Sequence, residues 1–280
     1  MNNKMYPCLW FEGNAKEAAE FYISVFGEGK TTVDTSMVVN FELSGQKFMG
    51  LNGGPEFKPT PSTSFMVVLE DKNELDKIYS QLADEGFVLM PLDKYDWSEK
   101  YSWVQDKFGI SWQLMFGKLS DVHRQKFTPT LMFTQNQNGK AEEAMNFYMD
   151  LFPNSKSDGI SKYQEGAMEG NVMHAQFSLN GHLWMAMDGG TGHDFTFSEG
   201  ISNVIEANTQ EEIDLYWNAF AKEGKESMCG WIQDKFGVWW QIFPSIVEET
   251  MVNPDKASKA MEAVMKMKKF DLEAYKKAIE

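Results

Sequence analysis

The stretch WVQDKFGISWQ at residues 103–113 returns as WIQDKFGVWWQ at residues 231–241. Eight of the eleven positions are identical at a constant offset of 128, a density that chance does not produce, so the chain is internally duplicated. Working outward, Ala15, Glu17, Ala18, Phe21, Tyr22 and Phe26 correspond to Ala141, Glu143, Ala144, Phe147, Tyr148 and Phe152. Between these blocks, FELSGQKFMGLNGG (41–54) matches FSLNGHLWMAMDGG (177–190). The order is the same in both copies. The sequence therefore divides into a first domain over residues 1–118, a connector at 119–126, a second domain at 127–245 and a tail at 246–280.

A chain of 280 residues suits two domains of this size. With 42% hydrophobic residues, including 9 Trp, 21 Phe and 19 Met, each domain can build a core. The net charge of −15 argues against nucleic acid, which calls for clustered Lys and Arg, and against docking on anionic membranes. Cys8 and Cys229 do not occupy matching positions in the copies, so a disulfide framework is not expected and a reducing cytoplasm is the default. No apolar run suits a signal peptide or approaches the roughly 18 residues of a membrane span.

Each copy reads as strands and helices in the same order. Pro7–Phe11 and Pro129–Phe133 are apolar runs that suit opening strands. In AKEAAEFYISVF (15–26), Ala15, Ala18, Ala19, Tyr22 and Phe26 recur at helical spacing, with Asn14 and Glu17 predicting a capping-box-like start. Residues 138–152 repeat this helix. Two strands joined at Ser44-Gly45, or at Asn180-Gly181, follow. Asn52–Pro61 and Asp188–Gly192 read as loops, with Asn52-Gly53-Gly54 and Asp188-Gly189-Gly190 as turns. A strand (Phe65–Leu69; Asn203–Glu206) leads into a second helix, near Asn73–Glu85 and Gln210–Glu223, and the last hairpin turns at DKFG. Asp106-Lys107 and Asp234-Lys235 need only turn chemistry to explain them.

Taken with LWFEGNAKEAAEFYISVFG (9–27), LMFTQNQNGKAEEAMNFYMDLFP (131–153) and the tail segment at 253–278, this pattern resembles the vicinal oxygen chelate superfamily, which includes glyoxalase I and bleomycin-resistance proteins. The closer likeness is to its PhnB-like branch, often labelled 3-demethylubiquinone-9 3-methyltransferase-like. The resemblance implies an α+β fold of tandem glyoxalase-like domains. Each would be two βαβββ units around a curved mixed sheet with a ligand in its hollow, and a helical tail would close the chain. It also implies, in metal-dependent members, one divalent ion that polarises a substrate with neighbouring oxygens.

The positions matching the family's ligands carry no such set. The first falls on Pro7 and Pro129, the second on Gly50 and Ala186, the third near Ser64 and Ser202, the fourth on Gln113 and Gln241. Hydroxyls and amides without carboxylate or imidazole company hold divalent ions weakly. No cofactor is expected, with a divalent metal kept as the alternative, and the methyltransferase label has no G-x-G-x-x-G fingerprint behind it. The hairpin at Asn180-Gly181 puts His174 and His182 on opposite faces, so the two cannot share one ion. His193 and His123 have no ligating neighbour in sequence, and Cys8, on a strand, reads as a buried inert thiol.

What remains is an aromatic, amide-bearing cleft in each copy. Gln113 and Gln241 should point into it, with Ser64 and Ser202 beside them; Ser111 and Met115 share the face of Gln113, and Trp239 and Phe243 that of Gln241. No residue is assigned a catalytic role, and whether the chain is an enzyme stays open. The tail reads as one amphipathic helix over 256–268, striped by Ala260, Met261, Val264, Met265 and Met267, and a shorter helix over Leu272–Ile279 capped by Asp271. The two copies suggest an intrachain pseudo-dimer, with a homodimer also possible. Three functions fit: binding of a small, partly apolar molecule without metal; an enzyme of lyase, dioxygenase or transferase type using other residues or a substrate-borne metal; and an interaction module with empty clefts.

Overall fold

The structure, a computed structural model, describes residues 4–280. It forms two compact units: a larger one, Leu9–Ile201, and a terminal one made of the residues up to Cys8 together with Ser202–Glu280. In chain order the larger unit continues β1 (Met5–Phe11) and then holds α1 (Ala15–Phe26), β2 (Gly29–Asp34), β3 (Val38–Leu43) and β4 (Gln46–Asn52). A second set follows: β5 (Thr63–Leu69), α2 (Lys72–Ala83), β6 (Phe87–Tyr95), β7 (Ser98–Gln105) and β8 (Ser111–Phe116). After a 3-10 turn at Leu119–Val122 come β9 (Phe127–Thr134), α3 (Ala141–Leu151), β10 (Lys156–Lys162), β11 (Val172–Leu179) and β12 (His182–Gly190). The terminal unit holds β13 (Ile201–Glu206), α4 (Gln210–Ala221), β14 (Lys225–Glu226), β15 (Trp231–Gln233) and β16 (Trp239–Phe243), then α5 (Ser245–Met251), α6 (Ala257–Met265) and α7 (Leu272–Ala278). The fold is thus α+β, four βαβββ units followed by helices. Among the described residues no helix is long and apolar enough to cross a membrane.

The eight-stranded sheet of the larger unit runs β10-β11-β12-β9-β5-β8-β7-β6. Two βαβββ units build it, but they are the second half of the first copy and the first half of the second. The expectation of one sheet per copy is corrected here. The connector is short, and it returns the chain antiparallel to β5, so that Ser64 pairs with Thr130 and Phe65 with Pro129. Within each half the pairing of β5 with β8, and of β12 with β9, is parallel. Parallel neighbours need a long crossover, which α2 and α3 supply.

One face of this sheet is sealed by aromatic packing. Trp112, fully buried, lies 5.2 Å from Tyr22, 4.9 Å from Phe26 and 5.3 Å from Phe65 between ring centres. The DKFG turn fixes that indole. Asp106 accepts the backbone N–H groups of Phe108 and Ile110 and the Nε1–H of Trp112 at 2.7 Å. Asp234 does the same for Phe236, Val238 and Trp240. Turn chemistry does account for both aspartates, and it extends to holding a core tryptophan.

Three expectations need amendment. The Asn14 side chain makes no cap bond; Asn52, at the end of β4, accepts the Ala15 N–H at 2.9 Å instead. In the second copy Asp188 takes the N–H groups of Gly139, Ala141 and Val172. The Asn-Gly-Gly and Asp-Gly-Gly stretches are therefore remote helix caps, and a Cβ on Gly53 would stand 2.1 Å from the Trp10 ring. Next, three strands rather than two follow α1 and α3. The extra ones, β2 and β10, are exposed edge strands whose polar sequences give no alternation. Last, the long tail helix stops at Met265, so Met267 lies beyond it, and Met265 itself is exposed.

Asp188→Asn would turn an N–H2 group toward one of these three buried backbone donors. The expected cost is about 1–3 kcal/mol of unfolding free energy in a urea titration. Asn52→Ala, which frees a single donor, should cost about 1 kcal/mol.

Candidate functional site

Strand register puts a defined set of side chains on the other face of the larger unit's sheet. Gln113 on β8 lies level with Met66 on β5 and Trp103 on β7, and Met115 lies level with Val68 and Tyr101. Across the join, Ser64 faces Thr130, which is level with Met185 on β12. Met132 and Met187 continue the row. The floor of this face, Met66, Val68, Tyr101, Trp103, Met132 and Met185, is buried, and half-buried Leu89, Met90, Tyr95, Met115, Met187 and Phe195 rim it.

The polar groups on the floor are tied to one another. The Tyr101 hydroxyl donates to Gln113 Oε1 at 2.7 Å, and Gln113 Nε2 donates to Ser64 Oγ at 2.8 Å. Trp103 Nε1–H donates to Ser111 Oγ at 2.7 Å. Gln113 is only 1% exposed. Burial, and then Tyr95, push the Tyr101 phenol well above its ordinary value, so it stays protonated.

The terminal unit repeats part of this design. Gln241 Nε2 donates to Ser202 Oγ at 2.8 Å, and the Cys8 thiol hydrogen-bonds with both side chains. Burial pushes that thiol up to about 12, in line with an inert group. Trp239 stands where the other sheet has Ser111, and its ring lies 6.4 Å from that of Trp231. All six cleft-lining residues expected from sequence, Gln113, Gln241, Ser64, Ser202, Ser111 and Trp239, are buried. Gln113, Ser64 and Ser111 come together on one face, and Gln241, Ser202 and Trp239 on another. Met115 shares the face of Gln113 as expected, whereas Tyr101, Trp103 and the methionines at 66, 132, 185 and 187 were missed; for Tyr101 and Trp103, alternation along β7 from the WVQ motif was the available signal.

The expected metal positions do not converge. Pro129, opposite Phe65, and Ala186, opposite Ala175 and Leu131, belong to the helix-covered face. A Cβ on Gly50 would meet Ala15 and Phe11, again on the helix side. The strand-mates that do share the face of Gln113 are Thr130 and Met185. Hydroxyls, a thioether and an amide do not fit a divalent ion, and no group of three or more His, Cys, Asp or Glu among the described residues could hold one. Leu179 pairs with His182 as the hairpin required, so His182 and His174 lie on opposite faces. Burial pulls both imidazoles below their ordinary value. His123 pairs with Asp158 at 3.0 Å, and the His193 ring packs on Phe195.

The family profile described as 3-demethylubiquinone-9 3-methyltransferase matches residues 3–115 and again 125–243. The chain belongs to this family. It is the PhnB-like branch of the vicinal oxygen chelate superfamily, present here as a tandem duplication. A structure described as a putative 3-demethylubiquinone-9 3-methyltransferase, PhnB protein, from Bacillus cereus is 35% identical over 39% of this chain and 96% of its own, with a TM-score of 0.38. Glyoxalase I from Zea mays aligns over 90% of this chain and 97% of its own at 12% identity and a TM-score of 0.58. A putative dioxygenase from Bacillus subtilis covers 84% of this chain and 82% of its own at 11% identity, with a TM-score of 0.52. The last two likenesses concern the fold alone. No curated protein matches.

Two outcomes follow from this geometry. Of the two thiols, half-buried Cys229 should react with a disulfide reagent in the native PhnB-like protein, and Cys8 only after denaturation, counted by mass spectrometry. Gln113→Glu would bury a carboxyl whose folded pKa is raised by desolvation. Its stability relative to wild type should be greatest in acid and fall as pH rises through that folded pKa, read from urea midpoints between pH 4 and 8.

Proposed function

We propose that this PhnB-like protein binds a small, neutral, largely apolar molecule on the face formed by β12, β9, β5, β8 and β7, without a metal held by the protein. One observation carries the reading. Register places these strands beside Gln113 over Leu183–Met187, Thr128–Met132, Ser64–Val68, Ser111–Met115 and Tyr101–Gln105, and there the positions on its face are Met, Leu, Val, Ser, Thr, Gln, Tyr and Trp. The imidazole of His174, on the same face of β11, is pulled below its ordinary value by burial. An anionic substrate would find no cation to pair with there, and leaving a charge unpaired beside a buried floor is costly. Methionine side chains adapt to irregular apolar shapes, and five of them, Met66, Met115, Met132, Met185 and Met187, surround the Gln113 network. That network offers the remaining hydroxyl and amide hydrogen-bonding capacity as orienting groups.

The reading favours sequestration or carriage over chemistry, because the ionisable phenol of Tyr101 is held protonated and engaged by Gln113. In this view the protein works in the cytoplasm, and any pairing of whole chains is secondary to binding.

A matched series of naphthalene derivatives tests it, neutral alcohols against carboxylates and phosphonates on the same ring. Neutral members should raise the melting temperature, with about 2.7 kcal/mol of stabilisation at a hundredfold excess over Kd, and Met185→Lys should remove the effect. Stronger stabilisation by the anions would overturn the reading. So would stoichiometric zinc, nickel, manganese or iron in the purified protein.

A further inference from the structure

The two copies close the same end of their faces with different parts of the chain. From Gly86 to Asp106 the first copy has room for long β6 and β7, whereas from Gly224 to Asp234 the second has room only for β14 and β15 of two and three residues. In the larger unit the β6–β7 hairpin carries Tyr95, Trp97 and Tyr101. Tyr95 stacks on Trp97 at 5.0 Å, and Tyr101 stands edge-on to both. In the terminal unit the tail takes this place. Phe270 packs edge-on against Phe243 at 5.7 Å, and Phe243 shares the face of Gln241.

The two closures are held very differently. The hairpin pairing shifts register three times between Val88 and Tyr95, and Trp97 at its tip is 61% exposed. The tail is clamped. Cys229 and Gly230 donate their N–H groups to Met267 and Lys268 oxygens at 2.7 and 2.8 Å. Gln210 donates to the Phe270 carbonyl oxygen and accepts from the Leu272 N–H. Phe270 and Tyr275 are fully buried.

We infer that the protein has one ligand site per chain, gated by the β6–β7 hairpin of the larger unit, and that the C-terminal tail permanently occupies the matching end of the terminal unit's face. The inference rests on the binding function proposed above and assigns its stoichiometry and its gate. An irregular edge hairpin opens at low cost, and an exposed Trp stacked on Tyr offers a first contact to an apolar ligand. A segment with buried aromatic anchors and paired backbone groups does not open with it.

Nile red, a neutral and planar apolar dye, serves as the probe. The full chain should bind one dye, Met115→Arg should weaken binding at least tenfold, and Phe270→Ala should admit a second dye. Two dyes on the full chain, or a single dye on a Phe270→Ala protein that keeps its wild-type circular dichroism, would overturn the inference. If no dye binds to any form, the binding function fails instead, and hydrogen exchange on the full chain still decides the gate. Peptides covering 91–101 should exchange at least tenfold faster than those covering 228–232 and 267–275. Equal protection in the two sets, or the reverse order, sinks the inference on its own.

Discussion

The antiparallel join of β5 to β9 is the constraint on which the larger unit depends. It sets Ser64 against Thr130 and Phe65 against Pro129, and so decides which residues look toward the helices and which toward the open face. Shifting that pairing by one residue would bring Pro129 and Ala186 out and bury Thr130 and Met185 among the helices. The join also makes a sheet out of halves of two different copies. Duplication supplied four similar units, but pairing, not ancestry, determines which two share a sheet.

Much of this was legible in the sequence because it is local. Helical spacing from Ala15 to Phe26 gave α1 over the residues it spans in the structure, and Asn180-Gly181, with φ of 50° and 84°, gave a two-residue turn and with it the opposite faces of His174 and His182. What escaped is what depends on distance. The N–H of Ala15 is capped from Asn52 and that of Ala141 from Asp188, partners 37 and 47 residues away that no local motif announces. The strands β2 and β10 are edges, exposed and polar, so hydrophobic alternation cannot mark them.

The site was half legible for a related reason. Gln113 and Ser64 were reached as positions matching the family's ligands and Ser111 by hairpin register, and the structure brings them together by hydrogen bonds and shared register. The first metal position was reached in one copy by distance from the Phe-Tyr pair of the helix, across a loop, and in the other by aligning the repeated blocks. Such a count carries an error of one residue, and one residue on a strand is the difference between its two faces. The neighbours that register does place beside Gln113, Thr130 and Met185, bring a hydroxyl and a thioether rather than a carboxylate or an imidazole.

The differences between the copies are then more informative than their identities. Asp106 with Trp112 and Asp234 with Trp240 are the same device used twice, a carboxylate that folds a turn and anchors an indole. That explains why the DKFG turn and the tryptophan after it are preserved in both copies, while the glutamine that follows, Gln113 or Gln241, looks to the other face. Ser111 against Trp239 and a long hairpin against a tail fall on the opposite face. A scaffold shared by two copies constrains the helix-covered side, where Trp112 packs on Tyr22 and Phe26, and Trp240 on Phe220. The side facing away is constrained only by what must fit there, and the copies diverge there because they are filled differently: one by a loosely paired hairpin over a bed of methionines, the other by the chain's own C-terminal aromatic residues.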